Sequence, residues 1–110
     1  MIENTITEIE AKIRSTEAVG DERKRELLEL LGKLKTEVGA LAQTNSEQAD
    51  SIAGFAQVSA HEATRKQQNP ESLQHSVAGL RSSVEGFEQS HPKLAQIVNS
   101  ISNTLSNLGI

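Results

Sequence analysis

Glu88 and His91 are the pair best placed to do chemistry, standing in a Glu-x-x-His spacing. Di-iron carboxylate bundles use that spacing to present two ligands from one helix face. A single chain supplies one such motif, so a full metal site would need a symmetric dimer to bring the second. Pro92 follows directly, and a proline disturbs the helix that precedes it. A capping or packing role is therefore expected of His91, with metal binding by Glu88 and His91 as the alternative.

His61-Glu62 opens like the zinc-protease motif, but Arg65 stands where the second histidine is required. Without that ligand one turn on, the motif fails and His61 reads as a helix-surface residue. His75 follows Glu71 by four residues, a spacing explained by a first-turn helix dipole and a local charge pair. No serine lies in a Gly-x-Ser-x-Gly context, and no glycine-rich loop follows a strand. Cysteine is absent, which excludes disulfides, thiolate catalysis and sulfur-ligated metals. No catalytic residue and no cofactor are expected, and the chain does not read as an enzyme.

The elements that would position these residues are helices. Hydrophobic residues make up 35% of the 110 positions and charged residues 24%. Phe55 and Phe87 are the only aromatic side chains of the Phe, Tyr and Trp class. Buried area must then come from Leu, Ile, Val and Ala, which suits helix seams. Ile2, Ile6, Ile9 and Ile13 form one stripe. A left-handed glycine cap is expected at Gly20, and Asp21 as the N-cap of the next helix. Leu27, Leu31, Leu34, Val38 and Leu41 then repeat at four and three, with Leu28 and Leu30 widening the stripe. Thr44 and Glu47 resemble a capping box. Ala49, Ala53, Ala56, Ala60 and Ala63 follow as a small-residue seam, with Ile52 and Phe55 beside it.

Asn69-Pro70 reads as an N-cap followed by a first-turn proline. Leu73, Val77, Leu80, Val84 and Phe87 continue in heptad phase through His91 to Leu94, Val98, Ile101, Leu105 and Leu108. The phase survives Pro92, so either one bent helix or two helices with Ser90 as a cap would fit. Gly79 and Gly86 flank this stripe and would permit close helix contact, or reflect loose helix propensity. Gly109-Ile110 reads as a helix stop with an apolar anchor. The expected fold is all-α: one domain over 1–110, an antiparallel helical hairpin or bundle with coiled-coil-like stripes. Helices are expected over about 3–18, 22–43, 46–67, 70–89 and 91–108, with the second and third, and the fourth and fifth, able to be continuous.

The run Phe87-Glu88-Gln89-Ser90-His91-Pro92-Lys93-Leu94 and the closing Leu105-Ser106-Asn107-Leu108-Gly109-Ile110 resemble a small bacterial family, domain of unknown function 4404. The resemblance takes in the leucine-rich helix near Leu27–Leu41 and so covers most of the chain. It implies a small bacterial helical protein and carries no activity, cofactor or site residues with it.

Net charge is −4, and no basic face of the kind nucleic acid requires is present. The Arg23-Lys24-Arg25 run is flanked by Asp21, Glu22 and Glu26 and reads as a solvated helix face. No apolar run is long enough to span a bilayer, and Leu94–Ile110 lacks the cationic face of a membrane-surface helix. The N-terminus lacks the order of a secretion signal, so a cytoplasmic location is expected. A two-face leucine stripe leaves apolar area that a lone hairpin cannot cover. The expected function is that of a structural or protein-interaction module that self-associates, with a dimer favoured and an unidentified protein partner as a further option. The expected association stripe runs through Leu27, Leu31, Leu34, Val38 and Leu41, then Leu73, Val77, Leu80, Val84 and Phe87, then Leu94, Val98, Ile101 and Leu105.

Overall fold

The isoleucine spacing at the start of the chain produces α1 (Ile2–Ser15), which buries Ile6, Ile9 and Ile13 on one side. The fold is that of a computed structural model in which residues 2–108 are described. Four more helices follow: α2 (Asp21–Ala42), α3 (Ser46–Thr64), α4 (Pro70–Ser82) and α5 (Pro92–Asn107). Among the described residues there are no strands, so the chain is all-α. The Gly109-Ile110 stop lies outside the described residues.

Short local interactions set each helix end. α1 stops at Ser15, earlier than the apolar pattern suggests, and the Thr16 hydroxyl oxygen accepts from the Ala18 N–H at 3.1 Å. Lys24 reaches back to donate to the Arg14 carbonyl at 3.1 Å, satisfying one of the carbonyls a helix end leaves open. Gly20 is extended (φ −68°) rather than left-handed, and it occupies the N-cap position itself. Asp21 is thus the first helical residue, acting on the helix dipole instead of capping. Asn45 caps α3 by accepting from the Gln48 N–H at 3.2 Å. The neighbouring Thr44 hydroxyl instead donates to the Leu41 carbonyl at 3.3 Å. Asn69 and Pro70 start α4 as their types predict, the Asn69 carboxamide accepting from the Ser72 N–H at 3.1 Å.

The C-terminal heptad phase does not describe one rod. α4 ends at Ser82, and Gly86 takes up φ +88°, a left-handed conformation open to glycine at little cost. The chain turns through residues 83–91 and restarts at Pro92, with His91 in the N-cap position. Ser90 bonds the His91 ring at 3.0 Å rather than capping α5.

The packing forms two layers. α3 lies between α1 and α4 in one layer, and α2 lies beside α5 in the other. α3 touches all four other helices. Its inner face consists of Ala49, Ile52, Ala53, Ala56, Ser59, Ala60 and Ala63, all buried. Methyl-sized side chains let helix axes close to the short end of the usual 8–10 Å spacing. α2, with 22 residues, is about 33 Å long at 1.5 Å per residue, close to the 38 Å long dimension of the molecule.

This arrangement packs the expected association stripe within the chain. Leu27, Leu31, Leu34, Val38, Leu41, Leu73, Val77, Leu80, Val84, Leu94, Val98, Ile101 and Leu105 are each 2% exposed or less. Only Phe87 is partly covered. Their partner helices belong to the same chain, because five helices in two layers cover both faces of α2, as a lone hairpin could not. Across the layers, Glu10 of α1, 7% exposed, meets the Lys35 ammonium of α2 at 2.6 Å.

Two substitutions test this core. Ala56→Leu inserts bulk where α3 meets its neighbours and is expected to cost about 1–3 kcal/mol. The Ser59 hydroxyl is buried and has no hydrogen-bond partner, so Ser59→Ala is expected to stabilise by about 1 kcal/mol. Urea unfolding followed by circular dichroism measures both. A stabilising Ala56→Leu would contradict the close seam.

Candidate interaction surface

The residues that could have carried chemistry are not brought together. Glu88 and His91 lie in the turn between α4 and α5, not on one helix face. The Glu88 carboxylate accepts from the Gly86 N–H at 2.8 Å, while the His91 ring meets Ser90 and packs 5.7 Å from the Phe87 ring centroid. The two side chains serve separate local contacts. The Glu-x-x-His spacing aligns ligands only where the backbone is helical, and α4 has already ended at Ser82. Among the described residues, no group of three or more His, Asp or Glu side chains gathers where it could hold a metal ion.

His61 is exposed on α3, and its Nδ1 lies 3.1 Å from the Lys12 ammonium of α1. The ammonium can only donate, so Nδ1 accepts in this geometry. His75 and Glu71 sit 3.8 Å apart near the start of α4, both well exposed.

With most of each leucine stripe inside, the exposed large apolar side chains among the described residues are Phe55, 41% exposed, and Val58, 50% exposed. Both lie on the outer side of α3. Val58 is two positions from Ala56 and from Ala60, and at 100° per residue that puts it opposite the buried seam. Phe55 leans toward α4. A Cβ added to Gly79 would lie 2.5 Å from the Phe55 ring, so the absence of a side chain at Gly79 lets the ring rest on the α4 backbone.

A groove runs along each side of this ridge. The α3–α4 groove, about 560 Å³, is lined by Phe55, Val58, Glu62, Glu71, Ser72 and His75 among others. The α1–α3 groove, about 440 Å³, is lined by Glu8, Ile9, Lys12, Val58 and His61 among others. Val58 borders both. Glu62 is held by Arg65 at 2.8 Å, which leaves Glu71 as the more exposed acid on the rim. Such a surface offers apolar side chains at its centre and charges of both signs at its edge, the anatomy of a protein-binding patch.

Phe55 was expected beside the packed alanine seam, and Val58 was not singled out. The angular position of Val58 against Ala56 and Ala60 is the signal that marks it. The position of Phe55 depends on Gly79, whose nearness no spacing reveals.

The family model described as Domain of unknown function (DUF4404) matches residues 27–110, which take in α2 to α5. No curated protein and no solved structure matches the chain. Among the described residues, no helix is long and apolar enough to cross a membrane.

Gly79→Ala is expected to lift the Phe55 ring off α4. The helix-propensity gain of about 1 kcal/mol offsets the lost contact, so stability changes little. Proton NMR should show the ring losing its proximity to position 79 while the core contacts of Leu73 and Val77 persist. Retention of that ring contact would refute the close approach.

Proposed function

The chain belongs to the DUF4404 family, whose description names no activity, and we propose that it is a non-enzymatic protein-interaction module whose recognition face is the outer side of α3. The observation that supports this is the placement of Phe55 and Val58. Leu27, Leu31, Leu34, Leu41, Leu73, Leu80, Leu94 and Leu105 are buried, yet Phe55 and Val58 remain exposed one turn apart on one helix. Single exposed apolar residues are ordinary. A pair on one ridge, bordered by a groove on each side and rimmed by charge, is a better candidate for a partner's apolar side chains.

The reading assigns separate tasks to the two layers. α2 and α5 cover the inner face of α3 and hold it straight, while α1 and α4 form the walls of its two grooves. A rigid scaffold presenting a small apolar patch loses little conformational entropy on binding.

Site-specific photo-crosslinking in the native host tests the face. A photoreactive residue at position 58 is expected to give discrete protein adducts, whether with a second copy or with another protein. The same residue at Asn99, exposed on α5 in the opposite layer, is expected to give few. Equal labelling at both positions, or none at 58, would count against the reading.

A further inference from the structure

We infer that the outer face of α3 pairs with the same face of a second copy, antiparallel, about a two-fold axis level with Ala56. The inference rests on the recognition face proposed above and names its occupant.

The case begins with the pattern of charge along the helix. Glu47 is exposed in the first turn of α3, and Arg65 is exposed at its C-cap. They are eighteen positions apart, five turns of a 3.6-residue helix, and so share one angular position. Ala56 lies midway between them. A two-fold axis at that level brings Glu47 of each copy opposite Arg65 of the other, so the opposed pair occurs twice. Asp50 and His61, both exposed on the same side of the helix, come near each other under the same operation. An isologous contact requires a patch complementary to itself, and on this face Glu47 and Asp50 stand at one end and His61 and Arg65 at the other, with Arg65 also paired to Glu62 of its own chain at 2.8 Å.

The shapes agree with the charges at the same centre. Gly54 and Val58 are also symmetric about Ala56 and flank the shared angular position. A Cβ built on Gly54 would meet nothing within 4 Å, so the space above it is open in the single chain. In the pair, Val58 of each copy projects over Gly54 of the other. Phe55 of each copy falls near the axis on one side, where the two rings close the apolar centre. The two apolar side chains, the notch at Gly54 and the charged ends share one axis.

The apolar centre is small, so the association is weak and is best sampled from about 10 µM to about 1 mM. Sedimentation velocity on the full chain should show a concentration-dependent shift from monomer to dimer. Val58→Glu, and separately Gly54→Leu, are expected to raise the dimer dissociation constant about tenfold or more. The Gly54→Leu side chain enters open space in the monomer, so its helical circular dichroism should match the parent and its effect fall on pairing alone.

The deciding measurement uses charge reversal. Glu47→Arg alone places arginine against arginine, and Arg65→Glu alone places glutamate against glutamate, so each chain by itself should dimerise less. Mixing the two variants in equal amounts pairs arginine with glutamate at both ends and should restore dimer that neither forms alone. A defect in the fold of either variant could not produce that rescue.

A wild-type chain that stays monomeric over the whole range would overturn the pairing. So would a dimer indifferent to Val58→Glu and Gly54→Leu, or an absence of rescue on mixing. If the chain is monomeric while position 58 still crosslinks to a different protein in the host, the second copy is excluded and the recognition face stands. If position 58 crosslinks to nothing, both fail.

Discussion

Helix axes approach only as closely as the side chains between them permit, and in this protein the alanines of α3 set that distance. Ala49, Ala53, Ala56, Ala60 and Ala63 make a face of methyl groups that four other helices reach. Each alanine buries little area by itself. The area comes from the neighbours, whose Leu, Ile and Val side chains extend into the space the methyl groups leave. A leucine in the seam would separate the layers, and the stripes of α2 and α5 would lose their cover. The two-layer arrangement, the burial of the leucines and the shape of the outer face all depend on this one dimension.

An amphipathic helix in the middle of a three-helix layer has an outer side that packing does not use. On α3 that side carries Phe55 and Val58, and α1 and α4 stand beside it as walls. Polar contacts hold the walls in place. Lys12 of α1 meets His61 of α3, and Glu10 of α1 meets Lys35 of α2. At the far end, Gln68 donates to the carbonyls of Ala63 and Leu108, joining the ends of α3 and α5. The Gln48 side chain bonds the Ser83 carbonyl, fixing the start of α3 to the end of α4. The ridge is therefore restrained at both ends as well as from below.

Local rules made the helices legible. The Asn69-Pro70 start of α4 and the stripes of α1 and α2 follow from periodicity and from the chemistry of first turns. The rules failed where a neighbouring residue competed for the same role. Asn45 took the cap that Thr44 and Glu47 suggested, because its carboxamide reached the Gln48 N–H while the threonine hydroxyl turned back to α2. α4 ended at Ser82 inside an unbroken heptad phase, and Gly86 redirected the chain beyond it, since apolar spacing records which residues want cover and does not record which chain direction supplies it. The candidate surface was less legible still. Val58 could be placed opposite the alanines by angle alone, but the place of Phe55 depends on a glycine in another helix.

The sequence by itself determined that this chain is all-helical and which side of each helix is apolar. It determined too that no cysteine chemistry or zinc-protease ligand pair is available. These follow from residue type and from a period of 3.6, both local properties. Only the tertiary structure decided which helix covers which stripe. That decision turned an expected seam between chains into the interior of one chain and left Phe55 and Val58 outside. The reason is geometric: periodicity gives each helix a direction to face, but closure depends on how many helices arrive and how near they can come. Here that nearness was set by the small alanine side chains on the buried face of α3.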